Sequence, residues 1–333
     1  MAAVPLPPQP RAGAPAGATL RAALQHAQAR GLQRLDAQWL LLHALGRPPS
    51  DRAWLLAHDD APLDAATADH YAALCQRRLD GEPLAYLTGQ RGFYGLTLQV
   101  DARVLDPRPD TETLVDWALA LLPADAHAQV LDLGTGSGAI ALAVQHARPR
   151  ARVWGLDSSA DALQVAAANG RRLGLPVRWL CGHWWADWAA WPAAAGAAPA
   201  ATHAPRDAPA WPARFDLVLA NPPYLRADDP HLPALRHEPR SALVAGDDGL
   251  ADLRAIIAGA PARLATGGWL LLEHGWDQAD AVAALLRARG FADIDHRHDL
   301  GGHRRCTGGR WPHDTPADTD IPRAASGAPR QWR

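Results

Sequence analysis

Asn221, Pro222, Pro223 and Tyr224 form the stretch whose residue types are best suited to holding a flat group that carries NH2. They follow the apolar run of residues 215–220, which predicts a short buried strand, so they occupy a loop at the carboxyl end of that strand. Two consecutive prolines lack N–H groups and leave rigid carbonyl acceptors, while their neighbours add an amide and an aromatic face. The same four residues are equally compatible with a strand that merely ends at two prolines.

A glycine-rich segment, composed of Gly134, Thr135, Gly136, Ser137 and Gly138, opens a region in which strands and helices alternate. Glycine permits a sharp turn and the close approach of a ligand, and the N-terminus of the helix that follows offers N–H groups to an anion. The spacing GxGxG is neither the dinucleotide pattern GxGxxG nor a phosphate-binding loop that ends in GKS or GKT. Its position between a strand and a helix favours a cofactor site over a purely structural turn.

Asp157 ends the next predicted strand, where a carboxylate can accept hydrogen bonds from both hydroxyls of a ribose. Alone, this residue is equally well explained as a cap for the following helix. Together with the glycine-rich segment, it indicates a cofactor that contains adenosine. Trp184 is a candidate to cover the adenine, although Trp185 lies beside it and the chain has 14 tryptophans.

The alternation of strands and helices predicts an α/β fold with a doubly wound parallel sheet. Residues 186–213, which are rich in Ala, Pro and Trp, interrupt it and are predicted to form an inserted surface loop. The predicted strands are residues 130–133, 152–157, 177–181, 215–220 and 269–273, and the predicted helices are residues 138–147, 159–173, 249–264 and 276–289.

A small bundle of four amphipathic helices is predicted before the sheet, within residues 17–88. These helices are expected to begin near Thr19, Asp36, Ser50 and Asp64, of which Asp36 is a candidate cap. Two terminal segments contain little that could be buried. Residues 1–16 are therefore predicted to be a disordered lead-in and residues 312–333 a disordered tail.

The link between the two predicted parts contains a strand pattern and a proline-rich segment. Residues 93–100 alternate like a strand, and residues 104–105 are expected to pair with them as a hairpin. Prolines 107 and 109 then stiffen the approach to a helix that Asp110 is expected to cap and that extends to about residue 122.

Composition indicates a globular protein and gives no sign of a membrane or of a nucleic-acid backbone as partner. The 333 residues are 48% hydrophobic, the formal net charge is −2, and every cation is arginine. Cys75, Cys181 and Cys306 are far apart and form no CxxC, which predicts a reduced, cytoplasmic protein without a cysteine-based zinc site. A secretion signal and an apolar run of membrane-spanning length are both missing from the sequence.

Four segments occur in the order and spacing of one known family. They are residues 78–89 (RLDGEPLAYLTG), 107–112 (PRPDTE), 132–138 (DLGTGSG) and 221–224 (NPPY). In these segments the chain resembles the bacterial peptide chain release factor glutamine methyltransferases, the HemK/PrmC family. DNA and rRNA amino-group methyltransferases also carry NPPY, but the PRPDTE segment and the preceding helical domain make the resemblance specific. Further matches at residues 238–239, 248–250 and 273–275 extend it over about residues 20–310.

This resemblance implies a class I, Rossmann-like methyltransferase domain over residues 89–311 that uses S-adenosylmethionine. It also implies that residues 17–88 form a helical domain that contacts the release factor. The expected reaction is methylation of the side-chain nitrogen (N5) of the glutamine in the GGQ motif of release factors.

The family also implies roles for individual residues. Residues 134–138 are expected to hold the methionine part of the cofactor, Asp157 the ribose hydroxyls, and Trp184 the adenine. Asn221, which also borders the cofactor, and the carbonyl of Pro222 are expected to accept hydrogen bonds from the substrate NH2. Tyr224 would pack against the amide plane, and Pro223 completes the loop. No metal site is implied.

The chain departs from the family pattern at two positions. His183 stands where relatives often carry an acid, and this leaves both Trp184 and Trp185 as candidates for the adenine. Asp106 stands where an aliphatic residue is usual, which predicts a local change in packing. His183 has no second ligand at a spacing that would suit a metal.

Two other functions remain compatible with parts of the sequence. The first is methylation of an exocyclic amine of adenine in DNA or of a base in rRNA, which also suits NPPY but not the absence of a basic excess. The second is a cofactor-binding protein without catalysis, in which the helical domain is the functional surface.

Overall fold

The computed structural model describes residues 18–186 and 212–312. The predicted lead-in (1–16), and nearly all of the predicted insertion (186–213) and tail (312–333), lie outside these residues. Within the described ranges, the helices are too short or too polar to cross a membrane.

The N-terminal helices pack around a hydrophobic core of their own. Thr19 and Asp64 cap the first and fourth of them through side-chain oxygens that accept backbone N–H groups. The expected cap at Asp36 is wrong, because that helix already begins at Arg34 and Asp36 instead pairs with Arg78 at 2.7 Å. There are five helices here rather than the four predicted: α1 (Leu20–Ala29), α2 (Arg34–Ala44), α3 (Arg52–Ala57), α4 (Ala65–Leu79) and α5 (Leu84–Thr88).

A two-stranded hairpin follows, but its strands are not the predicted ones. Strand β1 (Gln90–Phe93) pairs antiparallel with β2 (Leu96–Gln99), and residues 104–105 belong to neither strand. Tyr94 and Gly95 form the turn, with φ angles of 48° and 76°. Positive φ at both central residues gives the twist that joins two antiparallel strands directly, so the chain reverses earlier than predicted.

The remainder of the chain forms a seven-stranded sheet with helices packed on both faces. Two hydrophobic clusters cover the two faces of the sheet, one containing Val130 and the other Leu131 and Leu133. The strands are β3 (Gln129–Leu133), β4 (Arg152–Asp157), β5 (Arg178–Cys181), β6 (Phe215–Ala220), β7 (Leu264–Glu273), β8 (Ala292–His298) and β9 (Arg304–Arg310), and the helices are α6 (Glu112–Leu121), α7 (Ala139–Ala147), α8 (Ala160–Leu173), α9 (Ala251–Gly259) and α10 (Ala279–Arg289).

The sheet is mixed rather than fully parallel. Its order is β5-β4-β3-β6-β7-β9-β8, in which the first five strands run parallel while β9 and β8 are antiparallel to their neighbours. The sequence prediction missed these last two strands. It also extended one helix to residue 264, whereas α9 ends at Gly259, a short 3-10 turn containing Pro261 follows, and Leu264 begins β7.

Candidate functional site

The candidate residues are brought together by the register of the parallel strands. Leu133 of β3 pairs with Leu156 of β4 on one side and with Ala220 of β6 on the other, and Ala220 pairs with Leu272 of β7. The residues that directly follow this row are Asp157, Gly134, Asn221 and Glu273. Because β3 lies where the strand order reverses, the row borders the crevice in which open α/β sheets bind ligands.

The glycine-rich loop turns sharply at the end of β3. The backbone N–H groups of Gly134 and Thr135 both donate to the carbonyl oxygen of Leu156, at 2.8 and 2.9 Å. Gly134 and Gly136 have φ angles of 72° and 54°, which favour glycine. Apart from its two chain neighbours, no atom of the described part of the chain lies within 4 Å of the place where a Cβ of Gly136 would be, so the loop leaves space for a ligand at that point.

Asp157 lies against this loop and holds its backbone. Its Oδ2 accepts the N–H of Gly136 at 2.8 Å, and its Oδ1 accepts the N–H of Ser159 at 2.9 Å. The helix cap itself is Ser159, whose hydroxyl accepts the N–H of Ala162. Since two carboxylate oxygens offer about four acceptor positions, Asp157 retains capacity for ribose hydroxyls. Burial raises the pKa of Asp157, and its backbone hydrogen bonds oppose that rise.

The two neighbouring tryptophans occupy different places. The indole of Trp184 lies over the glycine-rich loop, 3.3 Å from the position of a Cβ on Gly134, and its Nε1–H donates to Asp252 at 2.9 Å. Trp185 instead packs on Gly259 and donates to the carbonyl of Ile256 on α9. Of the two, Trp184 is the one placed beside the predicted cofactor loop.

A buried acid, Asp132, holds the glycine-rich loop in place. Asp132 is fully buried near the end of β3 and accepts hydrogen bonds from the hydroxyl of Thr135 at 2.6 Å and the N–H of Ala141 at 3.2 Å. Burial raises its pKa to about 7, while these two hydrogen bonds act in the opposite direction. Asp132 therefore fixes the turn and the start of α7.

The Asn-Pro-Pro-Tyr loop is held at both ends. Nδ2 of Asn221 donates to the hydroxyl oxygen of Thr111 at 3.2 Å. At the other end, the carbonyl oxygen of Tyr224 accepts a hydrogen bond from the side chain of Gln278, also at 3.2 Å. Burial raises the pKa of Tyr224, so its phenol stays neutral. The loop thus carries an oriented amide and a neutral aromatic ring next to the glycine-rich loop.

The structure adds residues that the sequence analysis did not assign to the site. Glu273 is buried beside Asn221 at the end of β7, and Arg305 contacts Asp299 at 3.0 Å and Asp110 at 3.5 Å. The expected cap at Asp110 is wrong: the residue lies inside a 3-10 turn (Pro109–Thr111), and no side chain caps α6. The matching segment at residues 273–275 was the available signal for Glu273.

An ion pair joins the proline-rich segment to the region after the Asn-Pro-Pro-Tyr loop. Arg108 donates to the buried carboxylate of Glu238, which also accepts the backbone N–H of Asp106. The unusual Asp106 is itself buried, 3.4 Å from Arg91 and 3.7 Å from Arg108. At this position, the predicted change in packing takes the form of a charge cluster in which Asp106 and Glu238 are buried and pair with Arg91 and Arg108.

Comparisons with known proteins bear on both parts of the chain. The family model of the PrmC N-terminal domain matches residues 18–89, and that of a methyltransferase domain matches residues 130–202. A release factor glutamine methyltransferase of Burkholderia pseudomallei is 47% identical over 86% of this chain and 94% of its own length. The release factor glutamine methyltransferase of Bordetella pertussis is 47% identical over 84% of this chain and 95% of its own length. That of Xylella fastidiosa strain Temecula1 is 46% identical over 87% of this chain and 98% of its own length.

This chain belongs to the release factor glutamine methyltransferase family. The family and the class I methyltransferase fold predicted from the sequence are both confirmed. In this family member, the glycine-rich loop, Asp157, Trp184 and the Asn-Pro-Pro-Tyr loop lie together at the carboxyl ends of the parallel strands. His183 is exposed, and among the residues that the structure describes no group of three His, Cys, Asp or Glu could hold a metal ion.

Proposed function

We propose that this methyltransferase transfers a methyl group from S-adenosylmethionine to N5 of the glutamine in the GGQ motif of peptide chain release factors. The observation that carries the proposal is the register Leu133–Ala220, because it brings the start of the glycine-rich loop next to Asn221. Family membership and the activity for which the relatives are named support the choice of substrate. Since release factors act in translation, we place the reaction in the cytoplasm. We assign the contact with the release factor to the helical domain, as the family resemblance implies.

The cofactor fits the residues of the crevice. Open space beside Gly136 leaves room for a ligand, Asp157 has unused acceptor positions for ribose hydroxyls, and the indole of Trp184 offers a flat surface for adenine. Residues 134–138 would hold the methionine part. When bound, S-adenosylmethionine supplies a methyl group on a sulfonium that needs no further activation.

The chain's own residues would act mainly by positioning. An amide nitrogen is a poor nucleophile because its lone pair is delocalised into the carbonyl group. Oδ1 of Asn221 and the carbonyl oxygen of Pro222 would accept the two N–H groups of the substrate, orient the nitrogen and stabilise the positive charge that develops on it. Tyr224 would pack against the amide plane, with Pro223 keeping the loop rigid.

Labelled S-adenosylmethionine tests this proposal against the two alternatives. The protein is incubated with a release factor, with a variant factor that lacks the GGQ glutamine, and with DNA or rRNA. Label on the wild-type factor alone supports the proposal. Label on nucleic acid would support methylation of a base amine, and no label at all would favour a cofactor-binding protein without catalysis. Affinity for the release factor that changes little with salt would further argue against nucleic acid as the partner.

A further inference from the structure

Three side chains from separate parts of the chain meet behind the Asn-Pro-Pro-Tyr loop. Asn221 and Glu273 directly follow Ala220 and Leu272, which are paired residues of adjacent strands. Thr111 reaches the same place from the 3-10 turn that precedes α6, and it is 4% exposed. Neither Thr111 nor Glu273 has a role in the reaction described above.

The contact between Thr111 and Asn221 sets the direction of an amide. An asparagine side chain presents a donor end, NH2, and an acceptor end, Oδ1, and the two ends have nearly the same shape. Only the acceptor end can receive a hydrogen bond from a substrate NH2. In the structure, Nδ2 of Asn221 donates to Oγ1 of Thr111, while the Thr111 hydroxyl donates its own proton to Glu273. Oγ1 can therefore only accept from Asn221, which leaves Oδ1 of Asn221 as the end available to the substrate.

Glu273 reinforces the same direction. Its side chain is 1% exposed, and its Oε2 has no hydrogen-bond partner among the described residues. An ionised carboxylate only accepts hydrogen bonds, so it attracts an NH2 group and repels a carbonyl oxygen. With Glu273 charged, the reversed amide of Asn221 would direct Oδ1 toward a carboxylate.

We infer that Thr111 and Glu273 are positioning residues that keep the NH2 of Asn221 inward, so that its Oδ1 faces the substrate amide. This inference rests on the proposed function for the identity of the substrate. Neither residue touches the reacting atoms, and both act through the orientation of Asn221.

The orientation should depend on pH, because burial raises the pKa of Glu273 to about 7. Contacts with Thr111, Arg305 and Asn221 oppose the rise, and the charge of Asp110 adds to it. Below this pKa the protonated carboxyl group can donate as well as accept, so it no longer disfavours the reversed amide. The titratable or charged groups facing Glu273 are Asp110, Tyr224, Arg305 and Cys306.

Two isosteric substitutions and one conservative control test the inference. Thr111→Val removes the hydroxyl but keeps the volume, and we expect kcat to fall about 10-fold or more at unchanged affinity for S-adenosylmethionine. Thr111→Ser keeps the hydroxyl and should restore most of the rate. Glu273→Gln should lower kcat and abolish the inflection near pH 7 in the wild-type profile of kcat, a change that a merely structural role would not produce.

A second readout does not require turnover. In 1H–15N spectra of the protein without substrate, the side-chain NH2 of Asn221 should exchange slowly with water in the wild type and faster in Thr111→Val. If the wild type is active and the variants have the same kcat, or if Glu273→Gln keeps the pH inflection, the inference is overturned while the proposed function stands. If the wild type transfers no methyl to any release factor, the proposed function fails, and the exchange of the Asn221 NH2 then decides whether Thr111 orients it.

Discussion

Nδ2 of Asn221 donates a hydrogen bond to Oγ1 of Thr111 over 3.2 Å, although 110 residues separate the two along the chain. The bond joins the PRPDTE segment to the Asn-Pro-Pro-Tyr loop. A second link joins the PRPDTE segment to the region after this loop, through the ion pair of Arg108 with Glu238. The PRPDTE segment, which helps to make the sequence resemblance specific, and the Asn-Pro-Pro-Tyr loop are therefore parts of one site, in which the first supports the second.

The glycine-rich loop gives the first prediction. A Cβ at position 134 would lie 3.3 Å from the indole of Trp184, at a φ of 72° that strains any other residue. We expect Gly134→Ala to weaken binding of S-adenosylmethionine by about 10-fold or more, measured by titration calorimetry. Gly174→Ala is the matched control: its φ is 67°, but nothing lies within 4 Å of its Cβ. Equal affinities of the two variants would contradict a role for position 134 in the cofactor site.

The two tryptophans should separate cofactor binding from stability. Trp184→Ala removes the flat surface above the glycine-rich loop and should weaken cofactor binding by about 1–3 kcal/mol, the value typical of a stacked base. Trp185→Ala removes the side chain that packs on Gly259. Because Trp185 is only partly buried, the free energy of unfolding should fall by about 1–3 kcal/mol, with little effect on the affinity of the folded protein for the cofactor. Calorimetric titration and denaturant unfolding measure the two effects. The reverse result would assign the adenine to Trp185.

The buried carboxylate of Asp132 should make stability depend on pH. Its pKa is raised to about 7 in the folded protein, so the folded state binds a proton more tightly than the unfolded state does. Stability from this group is complete below about pH 4 and is lost as the pH rises through about 7. Relative to wild type, Asp132→Asn should therefore gain about 2–4 kcal/mol of unfolding free energy between pH 4 and pH 8.

Unfolding in urea at a series of pH values measures this change. Asp248→Asn provides a control, because Asp248 is exposed and Arg254 lowers its pKa, so the difference between this variant and wild type should stay constant from pH 4 to pH 8. A difference between Asp132→Asn and wild type that stays constant from pH 4 to pH 8 would show that Asp132 titrates normally in the folded protein.

Asp106 gives a prediction about a position where the sequence departs from the expected family pattern. One oxygen of its buried carboxylate has no hydrogen-bond partner within residues 18–186 and 212–312, and burial raises its pKa more than Arg91 and Arg108 lower it. Asp106→Leu removes this desolvation cost and leaves neither cation buried and unpaired, because Arg91 is partly exposed and Arg108 keeps its ion pair with Glu238. The free energy of unfolding at pH 7 should therefore rise by about 0–2 kcal/mol. The gain should shrink as the pH falls toward 4. A clear loss of stability in urea at pH 7 would mean that the charge cluster is net favourable.

Local sequence patterns predicted the elements that position the site, but not the contacts within it. The strands Arg152–Asp157 and Phe215–Ala220 have the predicted bounds, since continuous apolar runs ending in polar residues mark buried parallel strands. Strand β8 was missed because its residues are mostly polar and only half-buried, which hides the usual alternation. The domain boundaries and the roles of individual site residues stay predictions.

Contacts between distant segments could not be predicted from local patterns. Thr111 looked like part of a helix start, and its contact with Asn221 depends on how α6 packs beside the sheet. Asp110 carried a capping signal, but the preceding proline extends a 3-10 turn through it and directs its carboxylate toward Arg305. In both cases, tertiary packing overrode what the neighbouring residues favoured.

Tandem mass spectrometry of a release factor tests the central claim most directly. The factor is incubated with S-adenosylmethionine and either wild-type protein or the Asn221→Ala variant, after calorimetry has confirmed that both bind the cofactor. We expect the wild type to add one methyl group to the side-chain nitrogen of the GGQ glutamine, and Asn221→Ala to do so about 100- to 1000-fold more slowly. A methyl group at any other position, or a variant that works at the wild-type rate, would contradict the account.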